Sequence, residues 1–323
     1  MQTNWQPTAS IDQLRQRATL IASIRQFFAD RQVMEVDTPA MSHATVTDIH
    51  LHTFQTEFVG PGYADGSKLF FMTSPEFHMK RLLARGYPDI FQIGKSFRKG
   101  EKGNRHNPEF TMVEWYRRGY ALNQMMDETV ELCQLITGPK PVVHATYADA
   151  FSKVTGLDPL SSTLNELVSH PGIAQRELPA ATFPSVSDAL NFLMSEVVEP
   201  QFSPEVMTVV SGFPTLLSSQ ALVDPKNPQT ALRFEVFGGG MELGNGYQEL
   251  VDVAQYRARF DAENRKRSES AKLIPPLDEN WFKDLTENLP PCSGVAVGFD
   301  RLVQLGLGVG SLNEVLEFPW EEA

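Results

Sequence analysis

Six basic side chains crowd one short stretch of an otherwise acidic chain, whose formal net charge is −12. Lys95, Arg98, Lys99, Lys102, Arg105 and His106 fall there with one acid, Glu101, among them. The stretch reads either as a solvated surface loop or as a site for a polyanion such as a triphosphate, to which arginine presents a planar fork of donors. It is not a Walker-type phosphate loop: Asp89 stands where Gly94-Lys95-Ser96 would need an earlier glycine. A second group follows. Phe110, Glu114 and Tyr116 are separated by even numbers of residues, so a strand turns all three to one face. That face is either half-exposed sheet with Glu114 in water, or an aromatic platform for a purine beside a carboxylate that binds a cation.

A third group runs from Met241 to Glu249, with the turn dipeptide Asn245-Gly246 between Glu242 and Glu249. Two carboxylates brought together by a turn suit Mg²⁺, which takes few carboxylates and completes its shell with phosphate oxygens and water. A surface hairpin with two unrelated acids is the alternative. The fourth, Gly294-Val295-Ala296-Val297-Gly298-Phe299-Asp300-Arg301, alternates small residues and so lets a ligand approach the backbone, as tight packing also would. Arg301 could stack on a ring or pair with phosphate. His50 and His52 lack a third ligand at zinc-like spacing. Cys133 and Cys292 form no CxxC pair or disulfide framework, which points to a reducing cytoplasm. No signal peptide and no apolar run of membrane-spanning length is evident. The net charge gives no overall attraction to nucleic acid.

These groups need elements to hold them. Ser10 and Gln13 make a capping box ahead of Leu14, Ala18, Ile21, Ile24 and Phe28, so a helix is expected over 11–31. Pro39 closes an extended segment at 33–36. Strands are expected within 49–59 and at 68–72, 89–94, 110–116 and 231–237. Helices are expected after Pro75 and at 122–136 and 254–269, and residues 294–307 read as a strand running into a helix. Residues 138–230 are proline-rich, carry no motif, and read as an inserted subdomain with short helices such as 186–198. The basic residues Arg257, Arg259, Arg265, Lys266 and Arg267 read as a solvated face or a contact for an acidic partner. The 323 residues, 41% hydrophobic, suit one large enzyme core or two ordinary domains.

Taken in order, the segments resemble the three signature motifs of class II aminoacyl-tRNA synthetases. The first helix with Val36-Asp37-Thr38-Pro39 resembles motif 1, Phe97-Arg98 through Tyr116 motif 2, and Gly294 through Arg301 motif 3. Arg105-His106-Asn107-Pro108-Glu109-Phe110-Thr111-Met112, Ser74-Pro75-Glu76 with Lys80-Arg81-Leu82, and Glu242-Leu243-Gly244-Asn245-Gly246 with Glu249-Leu250 are similar to the lysyl branch. Lysyl-tRNA synthetases place an anticodon-binding barrel before this domain, and the expectation here is residues 1–323 as one catalytic domain without it. The chain therefore resembles the truncated paralogue family, the elongation factor P–(R)-β-lysine ligases, as Trp5-Gln6-Pro7 and Cys292-Ser293-Gly294-Val295-Ala296 also do.

The resemblance implies an α+β fold with a six- or seven-stranded antiparallel sheet flanked by helices, in a homodimer. It implies ATP-dependent activation of (R)-β-lysine or lysine to an acyl adenylate and transfer to a lysine side chain of elongation factor P. Arg98 would contact the α-phosphate and the substrate carboxylate, His106 and Asn107 the nucleotide, and Phe110 and Arg301 would sandwich the adenine. Lys99, Gly100, Glu101, Leu243 and Gly298 complete the implied ATP site. Glu242 and Glu249 would hold Mg²⁺, and with Arg98 and Arg301 form the implied catalytic set. Glu76, Glu114 and Glu249 would face the two substrate amines, helped by Ser74, Pro75, Tyr116 and Ala296. Two positions depart from the family pattern. Gly100 stands where motif 2 has glutamate, with Glu101 one place later, and Ala296 replaces a motif 3 glycine, which should reshape the amino-acid pocket. Two alternatives stay open: stand-alone tRNA charging, and a catalytically silent synthetase-like regulator.

Overall fold

In the computed structural model, which describes residues 7–176, 178, 182–286 and 288–323, the first helix begins at its expected cap. Ser10 accepts from the Gln13 amide, and the Gln13 side chain accepts from the Ser10 amide. Helix α1 (Ile11–Asp30) buries Ile24, Phe27 and Phe28. Of the Trp5-Gln6-Pro7 string, Trp5 and Gln6 lie outside the described residues. Then come β1 (Met34–Glu35), β2 (Met41–Ser42), β3 (Gln55–Gly60), β4 (Tyr63–Phe71), α2 (Glu76–Ala84), β5 (Ile90–Phe97), β6 (Glu109–Arg118) and α3 (Leu122–Thr137). Residues 138–230 supply β7 (Val142–Thr146), α4 (Tyr147–Thr155), α5 (Leu164–Ser169), α6 (Pro171–Ala174), α7 (Val186–Leu193) and β8 (Met207–Pro214). The rest is β9 (Thr230–Gly238), β10 (Met241–Gln248), α8 (Val253–Glu269), α9 (Glu279–Leu285), β11 (Cys292–Gly298) and α10 (Phe299–Leu307).

The main sheet runs β1-β5-β6-β11-β10-β9-β8-β7, and β2-β4-β3 form a separate small sheet. The main sheet is antiparallel except for the parallel edge pairs β1/β5 and β7/β8. It has eight strands where six or seven were expected. The additional strands come from the motifless stretch. Strand β8 is buried on both faces, with Met207 and Val209 in one core and Val210 and Phe213 in another. Such a strand shows no polar alternation in sequence.

One face of this sheet is dry. Val113 and Trp115 of β6, Val295 and Val297 of β11, and Phe234 and Val236 of β9 pack there with Phe28, Leu132 and Leu302 from α1, α3 and α10. Alternation then turns Phe110, Met112, Glu114 and Tyr116 of β6 to the opposite face, with Gly294, Ala296 and Gly298 of β11 and Arg233 and Glu235 of β9. A buried ion pair locks three motifs behind that face. Asp300, at the start of α10, pairs with Arg17 of α1 at 2.7 Å and accepts the Thr111 amide of β6 at 2.8 Å.

The Asn245-Gly246 turn is not present. Both residues lie inside the continuous strand β10, and the chain reverses instead at Gly239-Gly240, whose φ angles are 59° and 71°. Tertiary packing overrides the dipeptide's local preference. Gly246 is pressed between neighbours, and a Cβ there would lie 2.5 Å from the Phe234 ring and 2.8 Å from the Gly294 carbonyl oxygen.

Candidate active site

The polar face of the sheet opens into a cavity of about 1070 Å³. Its walls include Arg98, Glu101, His106, Asn107, Phe110, Glu242, Leu243, Gly298 and Arg301 at one end, and Ser74, Glu76, Glu114, Tyr116, Glu249 and Ala296. Most of the expected site residues therefore converge. Lys99, Gly100 and Pro75 do not line it. Lys99 is tied by its amide to the His52 carbonyl at 2.8 Å, Gly100 takes a φ of 91° that glycine favours, and Pro75 is the residue before α2. The turn at Gly100 delivers Glu101 to the cavity, 3.9 Å from Arg98.

At the cationic end, the Arg98 guanidinium lies 5.1 Å from the centre of the Phe110 ring. Its buried Nε has no hydrogen-bond partner among the described residues. A group with donors to spare beside an aromatic face suits an anion attached to a planar base. Arg301 is held rigidly. It donates to the carbonyls of Glu242 at 2.9 Å and Arg105 at 3.1 Å, and its Nη2 lies 2.6 Å from His106 Nε2. Burial and then Arg301 hold His106 below the usual imidazole range, so its Nε2 accepts from Arg301. Asn107 is occupied differently from the expectation. Its Nδ2 donates to the Glu109 carbonyl at 2.6 Å and its Oδ1 accepts the Trp320 amide at 3.0 Å, so it braces the loop against the C-terminal segment. Lys102 does the same through Glu321.

The acidic end is built on α2, β6 and the end of β10. Glu114 accepts from Ser74 Oγ at 2.7 Å and from the Tyr116 hydroxyl at 2.8 Å. Burial, reinforced by Glu76, pushes its carboxyl up to about 8. Burial also raises Glu249 to about 7, against the pull of Lys80. Gly294 must be glycine, because a Cβ would lie 2.4 Å from the Tyr116 ring and 2.7 Å from Glu249 Oε1. Ala296 sits opposite Glu114 on one side and Asn245 on the other, so its methyl faces the acids.

The paired metal ligands need correction. Glu242 stands near the start of β10 and Glu249 one residue past its end, about 23 Å away along the chain at ~3.3 Å per residue. Glu249 is already paired with Lys80 at 2.7 Å. They do not fit one ion. Among the described residues, no three His, Cys, Asp or Glu side chains cluster as a metal site. Glu242, whose side chain is 39% exposed, fits a Mg²⁺ that takes its other ligands from substrate phosphates and water.

Sequence reasoning missed several cavity residues. Gln220, Arg233, Glu235, Glu199 and Arg259 line the walls, two of them from the motifless stretch. Arg233 binds Glu235 at 2.6 Å, and burial raises Glu235 to about 7 and Glu199 to about 8. Two of the five α8 cations are anchors: Arg267 is buried against the carbonyls of Thr47, Asp48 and Leu51, and Arg259 binds those of Ser219 and Ala221. No helix among the described residues is long and apolar enough to cross a membrane.

The comparisons with known proteins agree with this geometry. Residues 6–322 match the family model for class II tRNA synthetases of the D, K and N types. The chain is 53% identical to the elongation factor P–(R)-β-lysine ligase of Vibrio parahaemolyticus, over 99% of both chains. It is 48% identical to that of Vibrio cholerae over 99% of both chains, and 44% identical to that of Salmonella paratyphi B over 99% of this chain and 98% of the relative. On motif geometry and end-to-end identity alike, the chain belongs to the class II aminoacyl-tRNA synthetase family, in its elongation factor P–(R)-β-lysine ligase branch.

Proposed function

We propose that the protein activates (R)-β-lysine with ATP and transfers the acyl group to a lysine side chain of elongation factor P. The observation that carries this reading is the polarity of the cavity, with free arginine donors at Arg98 and three buried acids around Glu114. A diamino acid lies along it with its carboxylate toward Arg98 and its ammonium groups toward Glu76, Glu114 and Glu249. The adenine stacks on Phe110, with Arg301 on its other face and Glu101 in the role of the missing motif 2 glutamate.

The chemistry needs no enzyme nucleophile. A substrate carboxylate oxygen attacks the α-phosphorus, the bond to the β-phosphate oxygen breaks, and pyrophosphate leaves. Arg98 stabilises the charge that builds on the α-phosphate oxygens, because its donors are in place before the reaction. His106, neutral and fixed by Arg301, holds that guanidinium in the plane the adenine needs. The acceptor amine then attacks the acyl carbonyl, loses a proton, and AMP departs. Alignment supplies most of the rate. Glu242 would hold Mg²⁺ together with the triphosphate, and the ion would supply charge neutralisation for the leaving pyrophosphate. The protein acts in the cytoplasm as a homodimer, and elongation factor P rather than tRNA is its acceptor.

The test is exchange of labelled pyrophosphate into ATP in the presence of single amino acids. Exchange that depends on β-lysine supports the reading. Exchange with no amino acid tried would leave a ligand-binding regulator in its place.

A further inference from the structure

Lys80, named so far only within a motif string, has no part in the proposed mechanism. It is completely buried on α2, one helical turn after Glu76. Its Nζ lies 2.5 Å from Glu76 Oε1, 2.7 Å from Glu249 Oε2, 3.1 Å from the Tyr256 hydroxyl and 3.3 Å from Gln220 Oε1. Gln220 Nε2 in turn donates to Glu76 Oε2 at 2.8 Å. One ammonium thus ties α2, α8, the end of β10 and residue 220 of the motifless stretch. Both Glu76 and Glu249 also line the cavity, so the ion pairs form part of its floor. A buried ammonium is costly unless carboxylates and hydrogen bonds surround it, and here they do.

We propose that Lys80 is the positioning and specificity residue of the amino-acid site, a resident ammonium that sets its charge and orients Glu76 and Glu249. The inference rests on the reading of this cavity as a diamino-acid site. Three carboxylates would hold three ammonium groups. Lys80 occupies one share permanently, so once substrate binding has ionised Glu114 the three acids keep two formal negative charges in excess, the complement of two substrate ammonium groups. It also fixes one oxygen of each acid, and Gln220 holds the second oxygen of Glu76, so both carboxylates are set in place where they line the cavity. Specificity for two amines is then a property of a side chain that touches no substrate.

The test uses two variants of the full-length protein. Lys80→Met keeps most of the packing volume and removes the charge, and Lys80→Ala removes a propylammonium-sized fragment. Both should raise KM for β-lysine in pyrophosphate exchange by about a hundredfold, the scale of removing one partner of a buried ion pair. KM for ATP should stay within about twofold. Millimolar n-propylammonium should restore Lys80→Ala substantially, and n-propanol, equal in shape but uncharged, should not. A Lys80→Met variant with wild-type KM for β-lysine overturns the proposal. So does equal rescue by propanol, or a parallel rise in KM for ATP, either of which marks a packing role. Wild-type protein that exchanges with no diamino acid refutes the proposed function instead, and direct titration of β-lysine binding into wild-type and Lys80→Met then decides the role of Lys80 on its own.

Discussion

Binding of the amino acid should release a proton, and Glu114 is the reason. In the free protein its carboxyl is held at about 8 by burial and by Glu76, so at pH 7 most molecules carry a proton there. A substrate ammonium placed against it favours the carboxylate and lowers that value in the complex. The sign follows: the complex binds fewer protons than the free protein, so affinity rises with pH and levels off near 8. If the value falls well below 6 in the complex, about nine-tenths of a proton is released at pH 7, and affinity climbs nearly tenfold per pH unit between 6 and 7.5, about 1.4 kcal/mol per unit. Glu249, near 7, adds a fraction of a second proton. Calorimetric titration of β-lysine in two buffers of different ionisation enthalpy counts the protons directly. Glu114→Gln should lower the count by most of one proton and flatten the pH dependence. Wild-type binding without proton release, or an unchanged count in Glu114→Gln, would refute the reasoning.

Four further outcomes are expected. Asp300→Ala should destabilise the fold by about 3–5 kcal/mol in denaturant titrations, since it leaves Arg17 buried without its partner. Gly294→Ala should cost about 1–3 kcal/mol of stability through overlap with Tyr116 and Glu249, and should raise KM for the amino acid more than KM for ATP. Ala296→Gly removes the methyl facing Glu114, and should move the kcat/KM ratio by about tenfold from β-lysine toward α-lysine. Glu242→Gln should raise the Mg²⁺ concentration that half-activates pyrophosphate exchange, whereas Glu249→Gln should raise KM for the amino acid and leave the Mg²⁺ dependence unchanged.

The motif residues were legible because their chemistry is local. Arg98, Phe110, Glu114 and Tyr116 sit on one hairpin, and strand alternation alone puts the last three on one wall. The capping box at Ser10 and the helix behind it are likewise short-range. Features set by distant chain were not legible. Asn245-Gly246 carries a turn signal, yet Phe234 and Gly294 press Gly246 flat into β10, and the two acids separate with it. Asn107 matched a motif string, but its side chain serves a C-terminal residue more than two hundred positions away. Lys80 entered only as part of a motif string, with no role of its own. Only the fold brings Glu249, Tyr256 and Gln220 to it. Strand β8 hides for the opposite reason, because apolar burial on both faces erases the pattern that marks a strand.

The central claim is best tested in one vessel holding the protein, ATP, Mg²⁺, α- and β-lysine, unmodified elongation factor P and lysine tRNA. Intact mass of the factor and acylation of the tRNA are read together. A lysyl increment on the factor and bare tRNA are expected. Charged tRNA with an unmodified factor would contradict the claim.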